Sequence, residues 1–439
     1  MSNTHADTVL YVRDTMLPQK EPPASTVGAI GWAKTNLFSG WFNTVLTIVS
    51  ALFILYLLSG LLPWLISPTW RAASLTECRE ILAAGGEGAH GGACWGVIRE
   101  RWLQLLFGFY PSDLYWRPVL ALLLLFVAIA PVLFAQYVPS KMLAFTALYP
   151  FLAVWLLWGG TIWGPLMALA GFGIGWAVYK FATPVVGSLA GIILTAVVPI
   201  LWWLVLAGPI AGALSSILPI GIEAVQSRQF GGFMLSITIG VTAIMCSLPI
   251  GIVLALGRRS DLMLVKALCV GFIEFIRGVP LITLLFVAST LLNIFLPPGT
   301  NFDIILRVMI MVTLFASAYM AEVIRGGLAA LPKGQYEGAD SLGLNYWQAQ
   351  RLVIMPQALK ISIPGIVSTF IGVFKDTVLV SIISMFDPLG LANAIRADSA
   401  WNGVYWELFI FIGAIFFVFC FSMSRYSMYL ERKLQTGHR

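Results

Sequence analysis

A chain of 439 residues that is 59% hydrophobic and 10% charged, with a mean hydropathy of +0.89, has too few polar side chains to fold in water; a soluble domain is roughly 25% charged. Disorder, coiled coil, collagen-like repeat and small disulfide scaffold are excluded as well. At about 20 residues per span the chain has room for around ten membrane helices. The net charge of +6 follows from basic residues flanking apolar runs, with no basic, aromatic-interleaved stretch of the kind that binds nucleic acid.

Residues 1–43 are polar, carry Pro18, Pro22 and Pro23, and show no short apolar core before a small-residue cleavage site, so no signal peptide is expected. Residues 44–66 read as an uncleaved anchor. A polar loop at 67–116 holds Cys78, His90 and Cys94 among several glycines. Apolar runs at 118–138, 142–158, 162–179 and 185–208 complete a front block spanning 44–222. Two of them, 142–158 and 162–179, are short and joined by Gly159 and Gly160, which leaves a re-entrant pair open. A polar interval at 223–229 marks the module boundary. The second block, 223–434, has runs at 231–256, 278–295, 304–321, 361–385 and 404–423, with a tail at 435–439. With the N-terminus inside, 17 of the 26 Lys and Arg fall on the cytoplasmic side, 8 outside and Lys375 within the membrane, as the positive-inside rule requires.

Enzymatic chemistry lacks its residues. The three histidines, His5, His90 and His438, sit in tails or loops, so neither a Ser-His base nor a His pair one helical turn apart with its Glu is present. No Gly-rich loop ends in Gly-Lys-Ser/Thr, so the chain does not hydrolyse ATP in the P-loop manner. Gly171, Gly173 and Gly175 lie in an apolar run and read as close helix packing. No metal site is expected, because Cys78, Cys94 and His90 leave a tetrahedral site one ligand short. On the outer side Cys78 and Cys94 form either a disulfide or two free thiols.

The polar segment 326–360 is ordered in pattern. Tyr336, Ala339 and Leu342 recur at helical spacing, Gly343 ends that helix as a left-handed cap, Asn345 starts a second helix with Gln348 in capping-box position, and Pro356 precedes the next span. Glu337-Gly338-Ala339, three residues, Gly343, nine residues, then Val353-Ile354-Met355-Pro356 resembles the EAA loop of bacterial ABC import permeases: Glu-Ala-Ala, three residues, Gly, nine residues, Ile, any residue, Leu, Pro. Gly338, Val353 and Met355 depart from it, and Gly338 loosens the helix by about 1 kcal/mol relative to Ala. Across 225–434, Gly231-Gly232 ahead of Thr238, EFIRGVPL at 274–281, AEVIRGG at 321–327 and Lys375-Asp376-Thr377 are similar to the polar amino acid branch. Together with the large front block they are most similar to permeases of general L-amino acid or glutamate/glutamine/aspartate/asparagine importers.

The resemblance implies an all-α polytopic bundle: a type I ABC importer permease core of five helices with an N-terminal extension of three to five more. It further implies a half-transporter in the bacterial inner membrane with both termini cytoplasmic, carrying no cofactor of its own. Its partners would be a related permease, two ATPase subunits that hold ATP and Mg, a periplasmic amino-acid-binding protein and membrane lipid. The helix at 335–342 would insert into the ATPase, with Tyr336, Glu337, Gly338, Ala339, Leu342, Gly343 and Pro356 as coupling residues. An ion-coupled secondary transporter is the alternative, motivated by Lys375, Asp376 and the Pro- and Gly-interrupted spans.

Within the run 361–385, Lys375 and Asp376 each cost about 2.5 to 3.5 kcal/mol if left alone at a helix centre. They point about 100° apart on a helix, so they do not neutralise each other fully. Two readings stay open: they face the substrate path with Thr377, or they bond to polar groups on neighbouring helices or the partner permease. Glu322 with Arg325, and Glu274 with Arg277, are i,i+3 pairs placed for packing or gating, with substrate contact as the minority alternative. The front block is left with three candidate roles: partner contact, lipid contact, or presenting the loop 67–116 to the binding protein.

Overall fold

Apolar stretches of this length have no partners in lipid for their backbone N–H and C=O groups except one another, so they must be helical. The computed structural model describes residues 28–66, 68–84, 92–291, 294 and 303–434; His5, His90, His438 and the 435–439 tail lie outside them. Among the described residues nine helices are long and apolar enough to cross a membrane, and one bent helix pair raises the number to ten if it counts as a span.

By its internal contacts the chain divides into residues 1–69 with 79–93, and 70–78 with 94–439. The first unit holds α1 (Gly28–Asn36) and α2 (Trp41–Ile66). No residue of α2 is buried. Past its end, the Ala93 N–H donates to the Trp64 carbonyl at 2.9 Å and the Thr69 N–H to the Ala93 carbonyl at 2.8 Å.

In the second unit the polar loop is not continuous coil. It contains the start of α3 (Leu75–Ala84) and all of α4 (Gly96–Phe107), and Cys78 and Cys94 are disulfide-bonded with their Cα atoms 6.0 Å apart. Then come α5 (Trp116–Leu133), α6 (Leu143–Trp158), α7 (Trp163–Val186) and α8 (Ser188–Leu201), the last running through a π-helical turn at Trp202–Leu206 into α9 (Ala207–Ile217). Both the segment Ser140–Trp158, which holds α6, and α7 are long and apolar enough to cross a membrane on their own. Their junction is tied by β1 (Gly160–Thr161), paired antiparallel with β2 (Gly221–Ile222). A Cβ on Gly171 would meet the Trp203 ring and one on Gly175 would meet Pro199 at 2.9 Å, so these two glycines let α7 approach α8 and the π-helical turn that follows it. Gly173 faces open space.

The second block comprises α10 (Gly232–Arg258), α11 (Met263–Gly278), α12 (Leu281–Phe286) with a π-helical continuation at Val287–Leu291, and α13 (Ile304–Ala329). A hairpin of α14 (Lys333–Ser341) and α15 (Tyr346–Ala349) leads through a π-helical turn at Gln350–Ile354 into α16 (Met355–Asp376). A 3-10 segment at Thr377–Ile383, α17 (Pro388–Ala397) and α18 (Trp406–Leu434) complete the chain. The run read at 278–295 is in fact a broken pair: α11 and α12 meet at 102°, because Pro280 has no N–H to continue the ladder and disfavours helix at Val279. The last run also continues well past residue 423, to Leu434.

Leu235, Ile239, Ile305, Val308 and Ala316 are completely enclosed in a core that α10 and α13 share. At the end where α10 begins, Gly108 and Gly232 have φ of +71° and +60°, and a Cβ on Gly231 would lie 2.7 Å from the Phe386 carbonyl. The Gly231-Gly232 motif is therefore a crossing point where three chain segments touch backbone to backbone.

The α3–α4 segment is docked at this same end. The Leu75 N–H donates to the Ala400 carbonyl at 2.8 Å, Arg101 pairs with Asp398 at 2.6 Å, and the Cys94 N–H donates to the buried Glu407 carboxylate at 2.7 Å. Nearby, Asp387 caps α17 by accepting from the Leu389 and Gly390 N–H groups at 3.0 Å each. It is fully buried, and burial pushes its carboxyl up to about 6 against those bonds. A raised carboxyl pKa stabilises the fold below about 4 and loses that contribution as pH rises through 6, leaving a cost of about 3 kcal/mol at neutral pH. Asp387→Asn is therefore expected to melt higher than the parent at pH 7.5, with the difference about halved at pH 5 and closing toward pH 4. A pH-independent difference in melting temperature would exclude the effect.

Candidate coupling and translocation site

The hairpin α14–α15 is set by local chemistry. The Gly343 N–H bonds to the Asp340 carbonyl and the Leu344 N–H to the Ala339 carbonyl, at 2.9 and 3.3 Å, the two bonds of a Schellman cap. Gly343 adopts φ +70° there with no atom within 4 Å of a would-be Cβ. Asn345 and Gln348 form the reciprocal capping box, at 2.9 and 3.0 Å. Pro356 stands exposed in the first turn of α16; it has no N–H for the Leu352 carbonyl, and the preceding π-helical turn absorbs the mismatch.

One side of the hairpin is tied to the membrane helices. Ala339 is buried, and Tyr336 packs on the cluster of Leu328, Ile354 and Ala358. The Tyr336 hydroxyl accepts from Arg259 at 2.9 Å, and Gln357 donates to Gln335 at 2.8 Å. The other side is bare: Glu337 and Gly338 are exposed, and so are Leu342 (77%), Tyr346 and Trp347 (70%). The stripe of Tyr336, Ala339 and Leu342 is thus divided, because Leu342 is already the cap residue and turns away from the bundle.

Glu322 accepts from Arg258 at 2.7 Å and from Arg325 at 3.0 Å, with Arg277 at 3.6 Å. The expected Glu322–Arg325 pair therefore forms. Glu274 pairs across to Arg258 at 2.8 Å, and no ion pair joins it to Arg277. The result is one node tying α10, α11 and α13. Arg258 was missed because its partners lie on other helices; its signal in the sequence is only a basic residue ending a span.

At the far end of α16, Lys375 is exposed and Asp376 half-buried, and neither makes an ion pair or hydrogen bond among the described residues. Thr377 is fully buried, and its hydroxyl donates to the Phe374 carbonyl at 2.7 Å. Its proton is therefore committed within its own turn. Arg307 lies one turn inside α13. It is buried and donates to the Ser289 carbonyl at 3.0 Å, within the π-helical turn that departs from the regular backbone ladder. Among the described residues no cluster of His, Cys, Asp or Glu could hold a metal ion.

A model of the family described as binding-protein-dependent transport system inner membrane component matches residues 247–436. The glutamate/glutamine/aspartate/asparagine transport system permease protein BztC of Rhodobacter capsulatus is 60% identical over 98% of this chain and 99% of its own length. The chain belongs to this permease family. The permease is also 39% identical to the inner membrane amino-acid ABC transporter permease protein YhdY of Escherichia coli, over 96% of this chain and 97% of that one. Both relatives extend across α1–α9, so the front block is part of this permease type. A solved structure described as an amino acid ABC transporter with histidines matches 46% of this chain and 91% of that one at 32% identity, with a TM-score of 0.41.

Proposed function

We propose that this permease imports polar and acidic L-amino acids, the class in the name of its 60%-identical relative. It would act as one half of an ATP-driven transporter, together with a related permease, two ATP-binding subunits holding ATP and Mg, and a periplasmic amino-acid-binding protein. The observation that carries the reading is the two-sided hairpin: exposed Leu342, Tyr346 and Trp347 form a grip for the ATPase, while Tyr336, Ala339 and Gln335 tie that grip to α10, α13 and α16. In this reading both termini are cytoplasmic and the disulfide end is periplasmic.

Gly343→Asp tests it. A left-handed backbone costs an L-residue about 1–2 kcal/mol, and nothing else crowds the position. The variant is expected to insert and assemble but to hydrolyse ATP without uptake, and Glu337→Lys to do the same by reversing a charge on the grip. Full uptake in both refutes the coupling role. Uptake that collapses with a protonophore while ATP stays high supports an ion-coupled carrier instead.

Lys375 and Asp376 are assigned to the substrate path by the same proposal, because a charge within a membrane span that has no ion pair or hydrogen bond among the described residues needs a wet cavity or an ionic ligand. Asp376→Asn and Lys375→Met are expected to raise the KM for uptake while basal ATP hydrolysis and assembly stay unchanged. Loss of the partner permease on purification would assign them to the subunit interface. Glu274, Arg277, Glu322 and Arg325 cluster at the coupling end, where the proposal gives them a gating role.

A further inference from the structure

The helices α4, α5, α6 and α10 do not close on one another. Between them lies a groove of about 860 Å³, walled by residues such as Leu122, Leu125, Ala153, Leu157, Ile237 and Val241. It follows α10 from Phe233 to Pro249, about 24 Å at 1.5 Å per residue, which is more than the roughly 15 Å of hydrocarbon in one leaflet.

The polar groups along this groove are already spent. The Thr238 hydroxyl donates to the Met234 carbonyl at 2.7 Å, the Thr242 hydroxyl to the Thr238 carbonyl at 2.8 Å, and the Tyr149 hydroxyl to the Ala121 carbonyl at 2.8 Å. The Trp158 indole donates to Ser227 at 2.7 Å. Cys246 also lines the groove, as a small apolar group. At the disulfide end the pattern reverses. Trp102, Tyr115 and Trp116 border the groove there, none of their side-chain polar atoms has a hydrogen-bond partner among the described residues, and both indole residues are about half exposed. The occupant therefore needs no hydrogen bonds along its length and has a polar head at one end, at the level where Trp and Tyr sit in a membrane interface.

Chemistry decides the occupant: an apolar wall with no free side-chain donor along it and a Trp-Tyr rim at one end matches a single acyl chain lying below its own headgroup. We propose that the groove is a phospholipid site, which takes an acyl chain from the leaflet at the disulfide end and holds the headgroup beside Trp102, Tyr115 and Trp116. The lipid fills the seam between the front block and α10.

The test uses the complete transporter in nanodiscs containing phosphatidylethanolamine with a diazirine near the end of one acyl chain. After irradiation, label is expected on α10 from Val241 to Pro249 and on the facing residues of α6, several-fold above that on the outward α7 residues Phe172 and Phe181. Ala153→Phe and Val241→Phe, which fill the groove, are expected to bring the label down to the α7 level and leave α7 labelling unchanged. Groove labelling no higher than α7 in the parent protein overturns the proposal, whether or not the variants fold. Cross-linking of Ala153→Cys to the partner permease overturns it too, since a protein segment would then occupy the seam.

Discussion

Glu322→Ala is expected to lower the melting temperature of the permease more than any other single substitution among its ionic residues. Glu322 is only 16% exposed and is shared by Arg258, Arg277 and Arg325, so its loss leaves three guanidinium groups within one Debye length of each other. Arg258 alone keeps a second carboxylate, Glu274, which is 54% exposed and correspondingly weak. Removing one partner of a buried pair costs 3–5 kcal/mol; partial exposure of all three arginines brings the expectation down to about 2 kcal/mol. Glu322→Gln keeps an acceptor without the charge and should cost about half as much. Melting curves at low and high salt check the mechanism, because the gap between parent and variant should narrow as salt screens the three arginines. A Glu322→Ala variant that melts with the parent would mean that apolar packing alone holds α10, α11 and α13 together.

The legible part of the molecule was the part whose signals are local. Gly343 announces a left-handed cap, Asn345 with Gln348 announces a capping box, and the spacing to Pro356 fixes the hairpin; each relation spans a few residues, and the structure has all three. The ionic node was legible only in its i,i+3 member. Arg258 and Glu322 are 64 residues apart in the chain, and nothing in either helix alone says that they meet. Helical spacing suggested Glu274 with Arg277, yet Glu274 reaches across to Arg258 at the end of α10. Hydropathy windows shifted the second core span past its break, hiding α11. They were also blind to the groove beside α10, since apolar residues facing a gap and apolar residues facing one another give the same run.

Trp347→Ala is expected to separate docking of the ATPase from transmission of its motion. Trp347 is 70% exposed and touches little of its own chain beyond an edge-to-face contact with Tyr346 at 5.2 Å, so truncation should change the stability of the permease by under about 0.5 kcal/mol. An exposed Trp beside Tyr346 and Leu342 on a rigid helical hairpin fits helix-in-groove recognition, and Trp and Tyr lead the residues whose truncation costs an interface 2 kcal/mol or more. That loss is about 30-fold in Kd for the ATPase subunits, measured by titrating them onto the purified permease pair. Tyr336→Phe is the counterpart. It leaves the bare face intact and removes the hydroxyl that holds α14 to Arg259 at the end of α10, so the ATPase should bind with unchanged affinity while uptake per ATP falls. The two variants make opposite demands on the same pair of assays. If Trp347→Ala binds the ATPase as the parent does, the exposed face is not the grip; if Tyr336→Phe transports normally, force reaches the membrane helices through the packed Ala339 and Ile354 side and not through the Arg259 bond.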